Sequence, residues 1–169
     1  GSVAIGTSAL AVSTTGNNNI AIGNVAMNGG NTTGDNNIAI GHNAINSQQA
    51  GGTQTTSATS HNNTFIGVDA GGGNYADAQS NYNVGIGNGV LAGALNSASK
   101  NTAIGWASLN VATSSNNNVA MGYASLIDLT TGDDNVAVGI QSLENLTSGS
   151  RNVALGYFAM AQSIDTNGT

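Results

Sequence analysis

A five-residue phrase recurs nine times along the chain, and it appears in full as Asn19-Ile20-Ala21-Ile22-Gly23. Each copy ends in a glycine, and successive glycines are 17, 18, 26, 20, 18, 17, 17 and 17 residues apart. A nearly fixed period of this length indicates a solenoid, in which each repeat forms one turn and packs on its neighbours. The nine glycines are Gly6, Gly23, Gly41, Gly67, Gly87, Gly105, Gly122, Gly139 and Gly156.

Large apolar residues alternate with small ones within the phrase. We number each copy from its glycine, which is position 0. Positions −3 and −1 hold large apolar or β-branched residues in all nine copies. Residues two apart in a strand point to the same face, and β-branched side chains suit a pleated surface, so this face is predicted to be the core. The predicted core residues include Ile20, Ile22, Ile38, Ile40, Ile104, Val119, Met121, Val136, Val138, Val153 and Leu155.

Position −2 holds alanine or glycine in eight copies, and Phe65 is the exception. Such uniformly small residues indicate that another backbone layer or another chain approaches closely, because an exposed strand face would carry larger polar side chains. We therefore predict a contact between chains at position −2. The alternative is a simple exposed face.

Two further columns have a structural interpretation. Asparagine occupies position −4 in eight copies, and identical amides one turn apart can form a hydrogen-bonded ladder. The glycine at position 0 permits a corner with a positive φ. The predicted ladder consists of Asn19, Asn37, Asn63, Asn83, Asn101, Asn118, Asn135 and Asn152.

The residues after the glycine complete each repeat. Position +4 is leucine, isoleucine or methionine in eight copies, and position +3 is mostly alanine or serine. We predict that they form a second short strand with one more core residue. The fold is thus predicted to be all-β, a parallel β-roll or β-helix of nine repeats in a single domain, 1–169, with an enlarged loop at 46–62. The chain is expected to be a fragment of a longer fibre.

Charge and composition exclude several classes of protein. The chain has two basic and eight acidic residues and a formal net charge of −6. Lys100 and Arg151 cannot form a basic patch, which argues against binding to nucleic acid or to anionic membranes. No apolar run is long enough to cross a membrane. Asp134 and Arg151 share position −5 in adjacent copies and are placed to pair.

No constellation of catalytic or metal-binding residues is found. His42, His61 and Asp69 flank the enlarged loop and could form an acid–base set, but solvated loop histidines are the simpler interpretation. Asp35 and the Asp133-Asp134 pair do not recur as calcium-binding nonapeptides require. We therefore predict that the chain is not an enzyme and has no cofactor and no metal.

Position +1 is the column that varies most. Trp106, Tyr123 and Tyr157 occupy it in three of the last four copies, and Phe158 follows the last of them. Exposed aromatic residues can bind sugar rings or a protein surface, or pack in the seam between chains. Both interpretations stay open. The enlarged loop at 46–62 is a second candidate for recognition.

The phrases at 118–122 and 135–139 read Asn-Val-Ala-Met-Gly and Asn-Val-Ala-Val-Gly. They resemble the head repeats of trimeric autotransporter adhesins, and the longer repeat with its Thr-Thr-Gly connector is similar to repeats in bacteriophage tail fibres. The resemblance implies a left-handed β-roll, a homotrimer, and a place on a virion tail fibre or a bacterial cell surface. It also implies a host cell-surface glycan or protein as partner.

The first functional hypothesis is a structural and adhesive segment of a trimeric surface fibre that contributes to host or receptor binding. An alternative is the head of a bacterial trimeric autotransporter adhesin that binds extracellular matrix. An ice-binding solenoid is a third possibility, because Thr-Thr pairs recur in the connectors, for example at Thr130-Thr131.

Overall fold

The computed structural model describes residues 1–11, 15–29, 33–46, 60–73 and 79–162. Nine strands of three residues each lie in one parallel sheet, in the order of the sequence. Equivalent positions pair in register, so that Ala21 lies beside Ala39. The prediction of an all-β parallel solenoid is confirmed. The strands are β1 (Val3–Ile5), β2 (Ile20–Ile22), β3 (Ile38–Ile40), β4 (Thr64–Ile66), β5 (Val84–Ile86), β6 (Thr102–Ile104), β7 (Val119–Met121), β8 (Val136–Val138) and β9 (Val153–Leu155).

The interior lies on the opposite side of the sheet from the predicted one. We call each turn a rung and number it with its strand. The middle residues of β2 to β9, such as Ala21 and Ala103, are buried, whereas their neighbours at −3 and −1 are half-buried or exposed. In β1, at the end of the solenoid, all three residues are exposed. The predicted core is therefore wrong, and so is the predicted contact between chains at position −2. The predicted core residues that lie on the outer face instead are Ile20, Ile22, Ile38, Ile40, Ile104, Val119, Met121, Val136, Val138, Val153 and Leu155.

The reversal follows from how little space one rung encloses. Leu91, Leu109 and Leu126 at position +4 are fully buried, as predicted. Leu129 and Leu146, later in their rungs, are buried beside them. With these leucines inside, only a small side chain fits opposite them at position −2, because protein interiors leave few voids and tolerate little overlap. The larger strand residues must then point outward.

Rung 4 fills its interior with a different combination of residues. Phe65 replaces the alanine at position −2 and is fully buried. Position +4 of the same rung is Gly71, where a Cβ would lie only 2.9 Å from the Phe65 ring. The next rung has Gly85 at position −2, where a Cβ would lie 2.6 Å from that ring. The phenylalanine therefore occupies the space that a leucine and an alanine fill elsewhere.

The corner glycines have the predicted positive φ. The angle is 133° at Gly105, and the other eight lie between 123° and 141°. A Cβ at Gly105 would also overlap the carbonyl oxygen of Gly122 in the next rung. Both the conformation and the close approach of successive rungs therefore require glycine.

The predicted second strand is wrong, because the residues after the corner form a turn. Positions +2 and +4 are left-handed in all nine rungs, including Val25 at φ 51° and Ile45 at φ 47°. This conformation is rare for β-branched residues. It aims their N–H groups at neighbouring rungs: Val25 donates to the carbonyl of Thr7, and Ile45 donates to that of Ala70, both at 2.9 Å. The turns are therefore tied to one another as the strands are.

The predicted asparagine ladder is confirmed, and each internal amide uses its full bonding capacity. The Oδ1 atom of Asn101 accepts from the backbone N–H of Asn118 at 3.0 Å and from its Nδ2 at 3.1 Å. The Nδ2 atom of Asn101 donates to Asn83 Oδ1 at 3.1 Å and to the carbonyl of Ser115 at 2.9 Å. An amide offers two donors and an oxygen with two lone pairs, so no capacity is left unused. Asparagine can therefore be fully buried in this row.

A second ladder at position −6 was not predicted from the sequence. The backbone N–H of Asp35 donates to His61 Nδ1 at 2.9 Å, and that of His61 donates to Asn81 Oδ1 at 2.7 Å. The same bond is made by Asn116 to Asp133 Oδ1 at 2.6 Å. The acceptors are Asp, His, Asn and Ser, which share only the ability to accept a hydrogen bond. Because the residue type varies, no single amino acid repeats at position −6, and the sequence pattern does not reveal this ladder.

Candidate interaction surface

The outer face of the sheet carries two continuous columns of apolar side chains, at positions −3 and −1. Thr64 and Thr102 interrupt the first column, and no residue in either column is charged. Exposure ranges from half-buried to 75 % at Leu155, which has a neighbouring strand on only one side. Single exposed apolar residues are ordinary, but a contiguous apolar stripe is a candidate interaction surface.

The −5 edge runs along one side of this face, two residues before position −3. We give this name to Asn18, Asn36, Asn62, Tyr82, Lys100, Asn117, Asp134 and Arg151, which are all left-handed and all exposed. Both cations of the chain lie on this edge. Asp134 and Arg151 do not form the predicted ion pair, since no Lys or Arg nitrogen among the described residues lies within 4.0 Å of a carboxylate oxygen.

The +1 edge runs along the other side of the face, two residues after position −1. In rungs 6 to 9 it consists of Trp106, Tyr123, Ile140 and Tyr157, which are between 46 % and 73 % exposed. In rungs 1 to 3 it is polar, with Thr7, Asn24 and His42. Rung 4 has Val68 and rung 5 has Asn88, so the edge is continuously apolar only in rungs 6 to 9.

The aromatic residues form two pairs. The rings of Trp106 and Tyr123 stack with centroids 4.8 Å apart and an interplanar angle of 11°. Tyr157 and Phe158 meet edge to face with centroids 4.5 Å apart. In the stacked pair each ring covers one face of the other, so only one face of each is left to receive a sugar ring. The sequence placed these residues together, but it did not predict the stack.

Among the described residues, the side chains of His42, His61 and Asp69 form no hydrogen bond with one another. The Asp69 carboxylate accepts a hydrogen bond from Asn43 Nδ2 at 2.6 Å, and His42 is exposed. His61 belongs to the position −6 ladder and is half-buried, so its interpretation as a solvated loop residue is wrong. Within the parts of the chain that the structure describes, no three His, Cys, Asp or Glu residues could hold a metal ion together. Residues 47–59 of the predicted enlarged loop lie outside the described residues.

Two of the connector threonines that the structure describes use their hydroxyls in bonds between rungs. The hydroxyl of Thr113 donates to the carbonyl of Thr130, and that of Thr130 donates to the carbonyl of Thr147, both at 2.9 Å. These hydroxyls are therefore used within the solenoid. The flat outer face of the sheet carries threonine in only two rungs. The geometry does not favour an ice-binding surface.

Comparison with protein-family models, with curated proteins and with solved structures finds no match to this chain. The described residues contain no helix of the length and hydrophobicity that a membrane span needs. The geometry of the outer face and of its two edges is therefore the observation that bears most directly on function.

Proposed function

We propose that this chain is a structural and adhesive segment of a surface fibre, in which parallel copies pack through the outer face of the sheet. The observation that carries the proposal is the uncharged apolar stripe along all nine strands. Sheet faces that contact water usually carry polar side chains, whereas this face has no charged residue and only two threonines. The occupant that matches an apolar, nearly flat, repeating surface along its whole length is another copy of the same surface.

The stripe alone is smaller than a typical protein–protein interface, so stable association needs more than two copies or a contact wider than the stripe. Nine strands about 4.8 Å apart and a face about 10 Å wide give an area of about 400 Å². Specific interfaces bury about 800 Å² on each partner. Three copies around an axis, as the resemblance to trimeric adhesins and tail fibres implies, bring the three faces together and add contacts along their edges. This arrangement requires no enzyme chemistry, no cofactor and no contact with nucleic acid.

Light scattering tests the association. The native protein is expected to scatter as an assembly of about three times the chain mass of 16.6 kDa. Ile104→Lys with Val138→Lys puts two charges on the outer face and is expected to give monomers, because burying unpaired charges is costly. The matched control is Asp128→Lys with Asn96→Lys, at exposed turn positions away from the sheet, and it should stay assembled. A native chain that is monomeric at all concentrations would contradict the proposal.

The adhesive part of the proposal needs its own measurement. We expect the assembled native protein to bind host cells or a glycan array, and the monomeric variant to bind with lower avidity because its sites are no longer linked. Assembled protein that binds neither would limit the role to that of a rod.

A further inference from the structure

We propose that in this fibre the −5 edge of each copy packs against the +1 edge of the next, with Lys100 on Trp106 and Arg151 on Tyr157. The inference rests on the proposed function and adds the residues that join neighbouring copies. It assigns the exposed aromatic residues to a contact between copies rather than to a receptor.

Symmetry decides which residues can meet. Rotation about an axis parallel to the solenoid keeps each rung at the same height in every copy. When the outer faces point toward that axis, the contact is heterologous, so one side of each copy meets the opposite side of the next. The −5 and +1 edges lie on opposite sides of the face, and residues of the same rung are therefore brought together.

The only two cations of the chain lie in rungs whose +1 residue is aromatic. Rung 6 has Lys100 at position −5 and Trp106 at position +1, and rung 9 has Arg151 and Tyr157. Within one copy the two residues of each pair are on opposite sides of a strand. A cation placed over an aromatic face is attracted to the ring, and tryptophan is the strongest acceptor. The sequence therefore provides complementary groups at equal heights.

The local geometry leaves these groups available. Among the described residues, neither Lys100 nor Arg151 forms an ion pair in its own chain. Trp106 is 49 % exposed, and its stack with Tyr123 of the next rung leaves its other ring face directed toward rung 5. Rung 5 has Asn88 at position +1, so no aromatic ring covers that face from below. In rungs 1 to 3 the +1 edge is polar. The −5 edge of the neighbouring copy would present only asparagine or glycine to it at these heights.

Disulfide trapping tests the contact directly, because the native chain has no cysteine. In Lys100→Cys with Trp106→Cys, the two thiols of one copy are six residues apart along a largely extended segment, about 15 Å or more, which is too far for a disulfide. Oxidation of the assembled protein is expected to give covalently linked trimers. The control is Asp134→Cys with Trp106→Cys, in which the two edges are offset by two rungs, about 10 Å. It should give no linked species.

The single tryptophan gives a second readout that leaves the rings in place. In the native assembly, we expect Trp106 to be at least about threefold less accessible to acrylamide than in the monomeric Ile104→Lys, Val138→Lys variant, because its ring is covered by the neighbouring copy. Lys100→Gln with Arg151→Gln is expected to raise the concentration of half-dissociation by about tenfold or more, since each lost contact occurs at every interface. Asp134→Asn, on the same edge, should not weaken assembly.

The outcomes separate the two proposals. If the native chain assembles but the cysteine pair is not linked and Trp106 stays fully accessible, the edge contact is refuted while the fibre proposal stands. If the native chain stays monomeric, both are refuted. Linked trimers from the same-rung pair, with none from the offset pair, support both.

Discussion

The buried row of asparagines allows a sharp test of how the solenoid is held together. Asn101→Asp changes one NH₂ group to an oxygen with almost no change in shape. In the native chain that NH₂ donates to Asn83 Oδ1 and to the carbonyl of Ser115, and the side chain is fully buried. The substitution removes both bonds and places an acceptor opposite two acceptors.

The expected cost at pH 7 is large. Two lost hydrogen bonds contribute about 1 kcal/mol each, and a buried acceptor left without a donor adds about 1–3 kcal/mol. These contributions sum to about 3–5 kcal/mol, and burial of the new charge adds to them, so we expect a loss of at least about 3–5 kcal/mol in the free energy of unfolding. The pKa of the buried carboxyl should be raised, because burial and the facing oxygens disfavour its ionised form.

The raised pKa fixes the sign of the pH dependence. A folded-state pKa above the unfolded value of about 3.9 means that the folded variant binds more protons over that interval. The variant is therefore closest to the native chain in stability below about pH 4, where the acid can donate one bond, and loses stability as the pH rises. Urea denaturation at a fixed protein concentration, from pH 3.5 to 8, measures the difference from the native chain.

Asn117→Asp is the matched control, since it makes the same chemical change sixteen residues further along, on the exposed −5 edge. Aspartate is compatible with the left-handed conformation there, as Asp134 shows at the equivalent position. We expect a change within about 0.5 kcal/mol and little pH dependence. Equal costs for the two variants, or a cost at Asn101 that does not vary with pH, would refute the account of the ladder.

Two further substitutions test the corner and the interior. Gly105→Ala should lower the free energy of unfolding by more than about 3 kcal/mol in thermal or urea denaturation, because its Cβ would overlap Gly122. In Gly156→Ala the new Cβ meets no atom within 4 Å, so this variant should lose only the strain energy of its φ of 123°. Equal losses in the two variants would contradict the role of rung spacing. Phe65→Ala should cost about 3–5 kcal/mol by leaving a cavity. Adding Gly71→Leu restores the residue pattern of the other rungs and should recover at least about half of that loss; additive or larger destabilisation would show that rung 4 is not packed by the exchange of volume described above.

The repeat made much of the fold predictable from sequence. The fixed period determined the number of strands and their parallel register, since equivalent positions of identical turns must stack. The asparagine column was predictable for a physical reason, because an amide is its own hydrogen-bonding partner. The glycine column was predictable from the positive φ that a corner needs. Each of these inferences depends on one residue type in one position.

Which face of each strand points into the interior could not be predicted from the alternation alone. Alanine beside isoleucine has a period of two whichever side is inside, and the usual expectation that the larger residue is buried fails when the enclosed space is narrow. The leucine at position +4 was the available signal, because its burial leaves room for only a small residue opposite. The left-handed Val25 and Ile45 gave no signal, since their propensities favour extended structure. The apolar outer face could not be predicted for the same reason, because the alternation does not show which side of the sheet is exposed.

The three bonds that link each internal asparagine to the next rung have a mechanical consequence. The backbone N–H and Nδ2 of Asn118 reach the Oδ1 of Asn101, and Asn101 Nδ2 reaches Ser115. All three cross from one rung to its neighbour, so tension along the rod acts directly on them. Because the rungs are loaded in series, a pulled rod fails at its weakest junction, and the dry amide row reinforces each junction where water cannot compete for the bonds. The asparagine column of the sequence thus forms a row of hydrogen bonds that resists tension along the solenoid.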